Sequence, residues 1–163
     1  GLLSKNKGFS LIELVMVLAI MGIMTTIVSL SISILDKGSD SISAINKNVA
    51  FISEMSVLSG KVIGWYASET EQELFYLDNK GQKISQVEAK RLDSFWSTYS
   101  DYFIEVEMFS GSVIRLNEFI TTSPLVVFYP TGANSGANIY FKSDVHEMSY
   151  RINQNGVSEI DYE

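Results

Sequence analysis

Lys5-Asn6-Lys7-Gly8-Phe9-Ser10-Leu11-Ile12-Glu13-Leu14-Val15-Met16-Val17-Leu18-Ala19-Ile20 is a short basic segment that runs straight into an apolar one. From Phe9 to Leu35 there are 27 residues with a single charge, Glu13, and Leu14 to Leu35 is a charge-free run of 22. At 1.5 Å per residue such a helix is about 33 Å long, enough for a hydrocarbon core of ~30 Å. Lys5 and Lys7 precede it; Asp36, Lys37 and Asp40 follow it. The basic flank keeps the N-terminus cytoplasmic and places everything after residue 35 outside. The competing reading is a cleaved secretory signal with its cut near Ser29-Leu30-Ser31. The apolar region of such signals spans about 7–15 residues, and this run is longer.

The rest of the composition narrows the function classes. The chain has 163 residues, 46% of them apolar, with 11 Gly and 2 Pro, which excludes a wholly disordered or collagen-like protein. Twelve Lys and Arg against nineteen Asp and Glu leave a net charge of −7. General nucleic-acid binding runs on phosphate neutralisation, so this acidic chain is a poor candidate for it. There is no Cys, which removes disulfides, thiol catalysis and thiolate metal sites.

The order basic leader, Gly8, Phe9-Ser10-Leu11-Ile12-Glu13-Leu14, then an apolar helix resembles the class III signal of type IV prepilins and type II secretion pseudopilins. The resemblance covers Lys5 to about Ile23 without a gap. It implies that residues 1–8 are a leader peptide, cut by a prepilin peptidase between Gly8 and Phe9 on the cytoplasmic side. It also implies N-methylation of the new Phe9 amine. Gly8 suits such a cut because a residue without Cβ lets another backbone approach closely.

Glu13 has a reading of its own. A carboxylate at the centre of a span costs about 2.5–3.5 kcal/mol on insertion scales, less near the end, and normally has a partner. In the processed chain it sits four residues from the new amine, about 6 Å along the helix. A neighbouring subunit's Phe9 ammonium is the expected partner, which makes Glu13 a subunit-assembly residue. The bland alternative is a first-turn Glu that only complements the helix dipole.

Beyond residue 35 the pattern changes twice. Ile42, Ile45, Val49, Ile52 and Met55 are spaced 3, 4, 3 and 3, one apolar stripe of an amphipathic helix. Gly38 and Ser39-Asp40-Ser41 are weak helix formers that invite a kink. From Lys61 the period shortens. Lys61–Ser68, Glu73–Leu77, Tyr102–Met108 and Ser112–Asn117 read as strands, Asp78–Gly81 as a turn and Gln86–Trp96 as a helix. Leu125–Tyr129, Asn138–Ser143, Met148–Asn153 and Val157–Tyr162 read as a four-stranded antiparallel meander, closed by a type I′ turn at Asn155-Gly156.

That C-terminal pattern is similar to the GspH/FimT family of minor pseudopilins and pilins, over about residues 124–162. It is carried by Val127-Phe128-Tyr129-Pro130-Thr131-Gly132, Gly136, Asn138-Ile139-Tyr140-Phe141, Tyr150-Arg151-Ile152 and Asn155-Gly156-Val157. Residues 61–120 carry no such match. Major pilins usually place a Pro in the first helix and often a C-terminal disulfide loop; Phe9–Ser59 holds no Pro and the chain no Cys, which favours a minor subunit.

No G-x-S-x-G, H-E-x-x-H or P-loop is present. His146, the single imidazole, reads as a turn residue. Glu69, Glu71 and Glu73 read as a solvated strand face in preference to a Ca²⁺ site. Trp65-Tyr66 and Phe95-Trp96 read as core.

The expected architecture is α+β and pilin-like: a transmembrane half-helix over 9–35, an amphipathic half over 36–60, and an extracytoplasmic antiparallel β head over 61–163. The resemblance implies a non-enzymatic filament subunit of a secretion pseudopilus or type IV pilus, near the tip, held in the inner membrane before assembly. Its partners would be other pilins, the prepilin peptidase, the assembly platform and membrane lipid, with no metal and no cofactor. The alternatives are a competence-type DNA-uptake pilin and a single-span tethered domain unrelated to pili. Only Lys142 and Arg151 are basic in the last meander, which weighs against DNA.

Overall fold

A computed structural model of the chain describes residues 8–93, 99 and 101–160, and the side chains within them except at 24–41. The elements run α1 (Leu11–Ser59), β1 (Ile63–Ala67), β2 (Gln72–Leu77), β3 (Lys83–Val87), β4 (Phe103–Met108), β5 (Val113–Arg115), β6 (Val126–Phe128), β7 (Ala137–Lys142), β8 (Glu147–Asn153) and β9 (Gly156–Glu159). The fold is α+β with an N-terminal helix and antiparallel sheets, as the sequence predicts. The chain divides into two compact units, Gly1–Ser39 and Asp40–Glu163. The backbone of α1 is helical through Gly38-Ser39-Asp40-Ser41. Propagating a formed helix adds one hydrogen bond per residue, which offsets the ~1 kcal/mol penalty of a Gly.

In the second unit the stripe read from the sequence is the one that packs. Ile45, Val49 and Ile52 are buried, with Ile42 and Met55 half-buried beside them. They meet the inner faces of two sheets, one ordered β3-β2-β1-β6 and the other β5-β4-β7-β8-β9. Trp65, Leu74, Val126 and Phe128 come from the first sheet, Val106, Ile139, Phe141 and Ile152 from the second. β1 is buried on both faces. On its outer face Tyr66 stacks edge-on against Phe75 at 5.6 Å, and Lys83 Nζ lies 4.1 Å from each ring. Burial pushes the Tyr66 hydroxyl above its ordinary pKa.

Three expectations fail in this unit. Lys83–Val87 is a strand where the sequence reading begins a helix at Gln86, and 88–93 is not helical; the last part of that predicted helix, 94–96, lies outside the described residues. Four of the five β3 residues are exposed, so an edge strand leaves no apolar alternation to read. The final meander has three strands, not four. β6 leaves it and pairs with β1, Trp65 opposite Val126 and Ile63 opposite Phe128. β7, β8 and β9 pair in sequence, and β4 takes the other edge of β7. Gly132 (φ 87°) and Gly136 (φ 72°) supply the left-handed backbone that carries the chain from one sheet to the other. The β8–β9 turn is not type I′. Among the described residues no non-glycine has positive φ, and only Gly156, at 115°, takes that conformation there. Asn155 instead donates its N–H to Asn153 Oδ1 at 2.9 Å. The predicted end of the last strand, 161–162, lies outside the described residues.

Candidate functional site

The residues singled out near the N-terminus fall at the start of α1. Gly8, Phe9 and Ser10 precede the helix. The Ser10 carbonyl accepts from Glu13 N at 3.0 Å and Leu14 N at 3.1 Å, which makes Ser10 the N-cap residue. Ser10 and Glu13 also stand at the spacing of a capping box, a signal in the sequence that the motif reading passed over. Among the described residues nothing lies within 4 Å of the position a Gly8 Cβ would take, and the Gly8–Phe9 peptide stands next to a helix start. Lys5 and Lys7 lie outside the described residues.

Glu13 is in the first turn with its side chain exposed. It makes no ion pair among the described residues. Around it the helix is apolar on every side. Phe9, Leu11, Ile12, Leu14, Val15 and Met16 are each more than half exposed within the single chain. A helix that is apolar all round belongs in a membrane or against other helices. Among the described residues no helix is long and apolar enough to cross a membrane. The side chains of 24–35, the second half of the predicted span, lie outside them.

The head holds two polar clusters that the sequence reading missed. Asn48 sits on the buried stripe of α1 and is 1% exposed. Its Oδ1 accepts from Asp93 N at 2.7 Å and its Nδ2 donates to Asp93 O at 2.9 Å. Gln72 Nε2 donates to the same carbonyl at 2.8 Å, and Trp65 Nε1 donates to Gln72 Oε1 at 2.9 Å. One chain of bonds thus ties α1, β1, β2 and the segment after β3. The only clue in the sequence is a polar residue in step with Ile45 and Ile52.

The second cluster is on the outer face of the larger sheet. Glu107 Oε2 accepts from Asn138 Nδ2 at 3.1 Å and from the Tyr140 hydroxyl at 2.9 Å. The Asn138 and Tyr140 bonds, in that order, hold its pKa below the ordinary carboxylate value, and Arg151 adds a smaller pull the same way. Lys142 Nζ pairs with Glu105 Oε2 at 2.6 Å, and the Arg115 guanidinium lies 3.8 Å from the Phe103 ring centre. Each of these charges is answered across a strand, an arrangement that orders a sheet face.

Other residues raised by the sequence stand apart. Glu69 and Glu71 lie in the β1–β2 turn and Glu73 in β2, so the three do not share one strand face. Among the described residues no three acidic or imidazole groups converge as metal ligands. His146 is exposed in the β7–β8 turn, its carbonyl accepting from Ser143 N at 2.8 Å. Trp65 and Tyr66 are core; Phe95 and Trp96 lie outside the described residues.

Residues 3–29 match the prokaryotic N-terminal methylation motif. The chain is similar in structure to the minor pseudopilin EpsH from the type II secretion system of Vibrio cholerae. The crystal structure of that protein gives a TM-score of 0.51 at 14% identity, over 77% of this chain and 96% of that one. A second EpsH structure gives 0.49 at 15% identity, over 76% and 95%. No curated protein sequence matches. The motif bears on the N-terminal segment and the structural likeness on the fold.

Proposed function

We propose that this chain, which carries the prepilin-type N-terminal motif ahead of a pseudopilin-fold head, is a minor pseudopilin: a non-enzymatic subunit of a filament assembled from the cytoplasmic membrane. The observation that carries the reading is the junction Gly8-Phe9 within the matched motif, directly before a helix with exposed apolar side chains on all sides. Each part then has a task. Residues 1–8 are a leader. The peptidase hydrolyses the Gly8–Phe9 peptide on the cytoplasmic side, and the freed Phe9 amine is methylated. The half-helix 9–35 holds the subunit in the inner membrane, head outward, until assembly. Other pilins or pseudopilins and the assembly platform receive it there.

Glu13 is the assembly residue. A carboxylate in the apolar layer is expensive alone, and a neighbour's Phe9 ammonium neutralises it across the subunit contact. The absence of Pro through Phe9–Ser59 and the helical backbone across Gly38 support a minor subunit over a major one.

The test is the intact mass of the full chain extracted from membranes of a host with its own prepilin peptidase. The expected product begins at Phe9 and is one methyl group heavier than the bare peptide chain. A chain that retains its leader in that host sinks the reading and favours a simple membrane tether. Retarded DNA in a gel-shift assay at moderate salt would favour the uptake-pilin alternative; the net charge of −7 predicts none.

A further inference from the structure

Asn155 is the one asparagine of the chain that is followed by glycine, and it stands exposed in the turn between β8 and β9. Its backbone N–H is held by Asn153 Oδ1 at 2.9 Å, whereas its own side-chain amide makes no hydrogen bond among the described residues. Gly156 comes next with φ 115°, so the nitrogen after Asn155 belongs to a residue without Cβ in the left-handed region. Gly156 is also the first residue of β9, a four-residue strand at the edge of its sheet. The loop end of such a strand opens at little free-energy cost, which frees its backbone nitrogen.

We propose that Asn155 is a modification site, at which the folded head deamidates spontaneously to isoaspartate and aspartate with water as the co-reactant. The Gly156 nitrogen forms a bond to Asn155 Cγ and gives up its proton. The bond from Cγ to Nδ2 breaks and ammonia leaves, which closes a five-membered imide. Water then adds to one of the two imide carbonyls, and the ring C–N bond breaks. Opening at the main-chain carbonyl gives isoaspartate, with one extra methylene in the main chain; opening at Cγ gives aspartate. One water enters, one ammonia leaves, nothing is oxidised or reduced, and the turn gains one negative charge. The inference concerns the head alone and holds whether or not the chain enters a filament.

The structure separates Asn155 from the other asparagines. The Asn48 amide is committed to the backbone of Asp93. Asn134 Oδ1 accepts from Gly136 N at 2.9 Å while its Nδ2 donates to Asn153 O at 3.1 Å. Asn138 is held between Glu107 and Arg151. Asn117 and Asn153 each spend their Oδ1 on a backbone N–H, of Phe119 and of Asn155. An amide held in this way loses those bonds when it turns its carbon toward the next nitrogen, and each loss raises the barrier to ring closure. Asn46 and Asn79 are exposed, but Lys47 and Lys80 follow them and crowd the attacking nitrogen with a side chain, and Asn46 is fixed in α1 as well. Asn6 lies outside the described residues. Asn155 combines the exposed turn, the uncommitted amide and the following glycine.

The test incubates the full chain, folded in detergent micelles, at mildly alkaline pH and follows it by peptide mass mapping. Isoaspartate is read separately, by transfer of a labelled methyl group from S-adenosylmethionine with an isoaspartate-specific carboxyl methyltransferase. The peptide that holds Asn155 is expected to grow heavier by about one mass unit and to take up label, while those holding Asn46 and Asn79 stay unchanged. Asn155→Gln is expected to abolish the label, because a glutamine would have to close a six-membered ring. The variant is placed at Asn155 because a Cβ on Gly156 would lie 3.0 Å from Asn46 Oδ1 and strain the turn. Four results each overturn the proposal: an unchanged Asn155 peptide, conversion only after urea has unfolded the chain, aspartate without isoaspartate, or parental labelling of the Asn155→Gln chain.

Discussion

Asn48 grips the backbone of Asp93 at both of its polar groups, 2.7 Å to the N–H and 2.9 Å to the carbonyl. A helix side chain thereby does for the segment after β3 what a paired strand would do. Asn48→Ala removes both bonds and leaves the Asp93 N–H without its partner, while Gln72 Nε2 still reaches the Asp93 carbonyl. The expected loss is roughly 1–3 kcal/mol, from the unmet N–H and the small cavity together. A urea titration followed by fluorescence of the buried Trp65 reads it directly. A midpoint within a few tenths of a molar of the parent would show that water replaces Asn48 without loss.

Gly64 offers a second test of the core. A Cβ there would lie 2.9 Å from Tyr66 Cε2, 3.0 Å from Leu77 Cδ1 and 3.2 Å from Pro124 Cβ. The first two atoms end movable side chains, but the Pro124 ring has nowhere to turn. Gly64→Ala is expected to destabilise the head by about 1–3 kcal/mol, the usual range for overpacking, despite Ala's lower backbone entropy. The same titration checks it, and an unchanged or raised midpoint would show that the outer face of β1 yields more easily than its packing implies.

These two positions also show what was legible in the sequence. The stripe Ile42–Met55 was readable because one helix face meets one core and the period survives. The N-terminal motif over residues 3–29 is readable because a basic segment that runs into a long apolar one with a lone charge is conspicuous. β3 was not, since an exposed edge strand has no inward face to keep apolar. The pairing of β6 with β1 was not, because its partner lies about sixty residues back and local turn signals are silent on distant pairing. Asn48 was hidden by its type: a polar residue on an apolar stripe is defined by what it meets, here a backbone 45 residues away.

Glu107 predicts a pH dependence. Its bonds to Asn138 and Tyr140 favour the ionised form, so its folded pKa lies below the unfolded one. Stability from this group is therefore fully present above the ordinary Glu pKa of 4.5 and is lost as pH falls through the folded value. Glu107→Gln keeps a carbonyl acceptor but drops the charge. It is expected to be less stable than the parent at pH 7, with the difference shrinking below about pH 4.5. Urea midpoints of both proteins across that range test the sign. A gap that stays constant down to acid would mean that the carboxylate is not held in its charged form by the fold.

Gly8→Val tests the processing site within the proposed function. A β-branched side chain at this peptide restricts χ1 and blocks close backbone approach. The substituted chain is expected to keep its leader in membranes that fully process the parent. Intact-mass measurement separates the two by the eight-residue segment. Trimming before Phe9 in the variant would remove Gly8 from the site.

Glu13→Val separates the two readings of the carboxylate. The substitution removes the only charge between Phe9 and Leu35, so insertion becomes more favourable. Gly8 and Phe9 are untouched, so cleavage is expected to proceed. If a neighbour's Phe9 ammonium needs Glu13, the mutant leaves that charge unpaired in an apolar layer, and incorporation fails. If Glu13 only complements its own helix, the loss is about 0.3–1 kcal/mol and assembly is nearly normal. The measurement is the amount of processed mutant in the sheared filament fraction, with its membrane level as the reference. Glu13→Asp serves as the control: it keeps the charge on a side chain one methylene shorter and is expected to restore part of the incorporation. Parental incorporation of processed Glu13→Val would eliminate the intersubunit pair. Failure of both variants at normal membrane levels would place the requirement in side-chain length as well as charge.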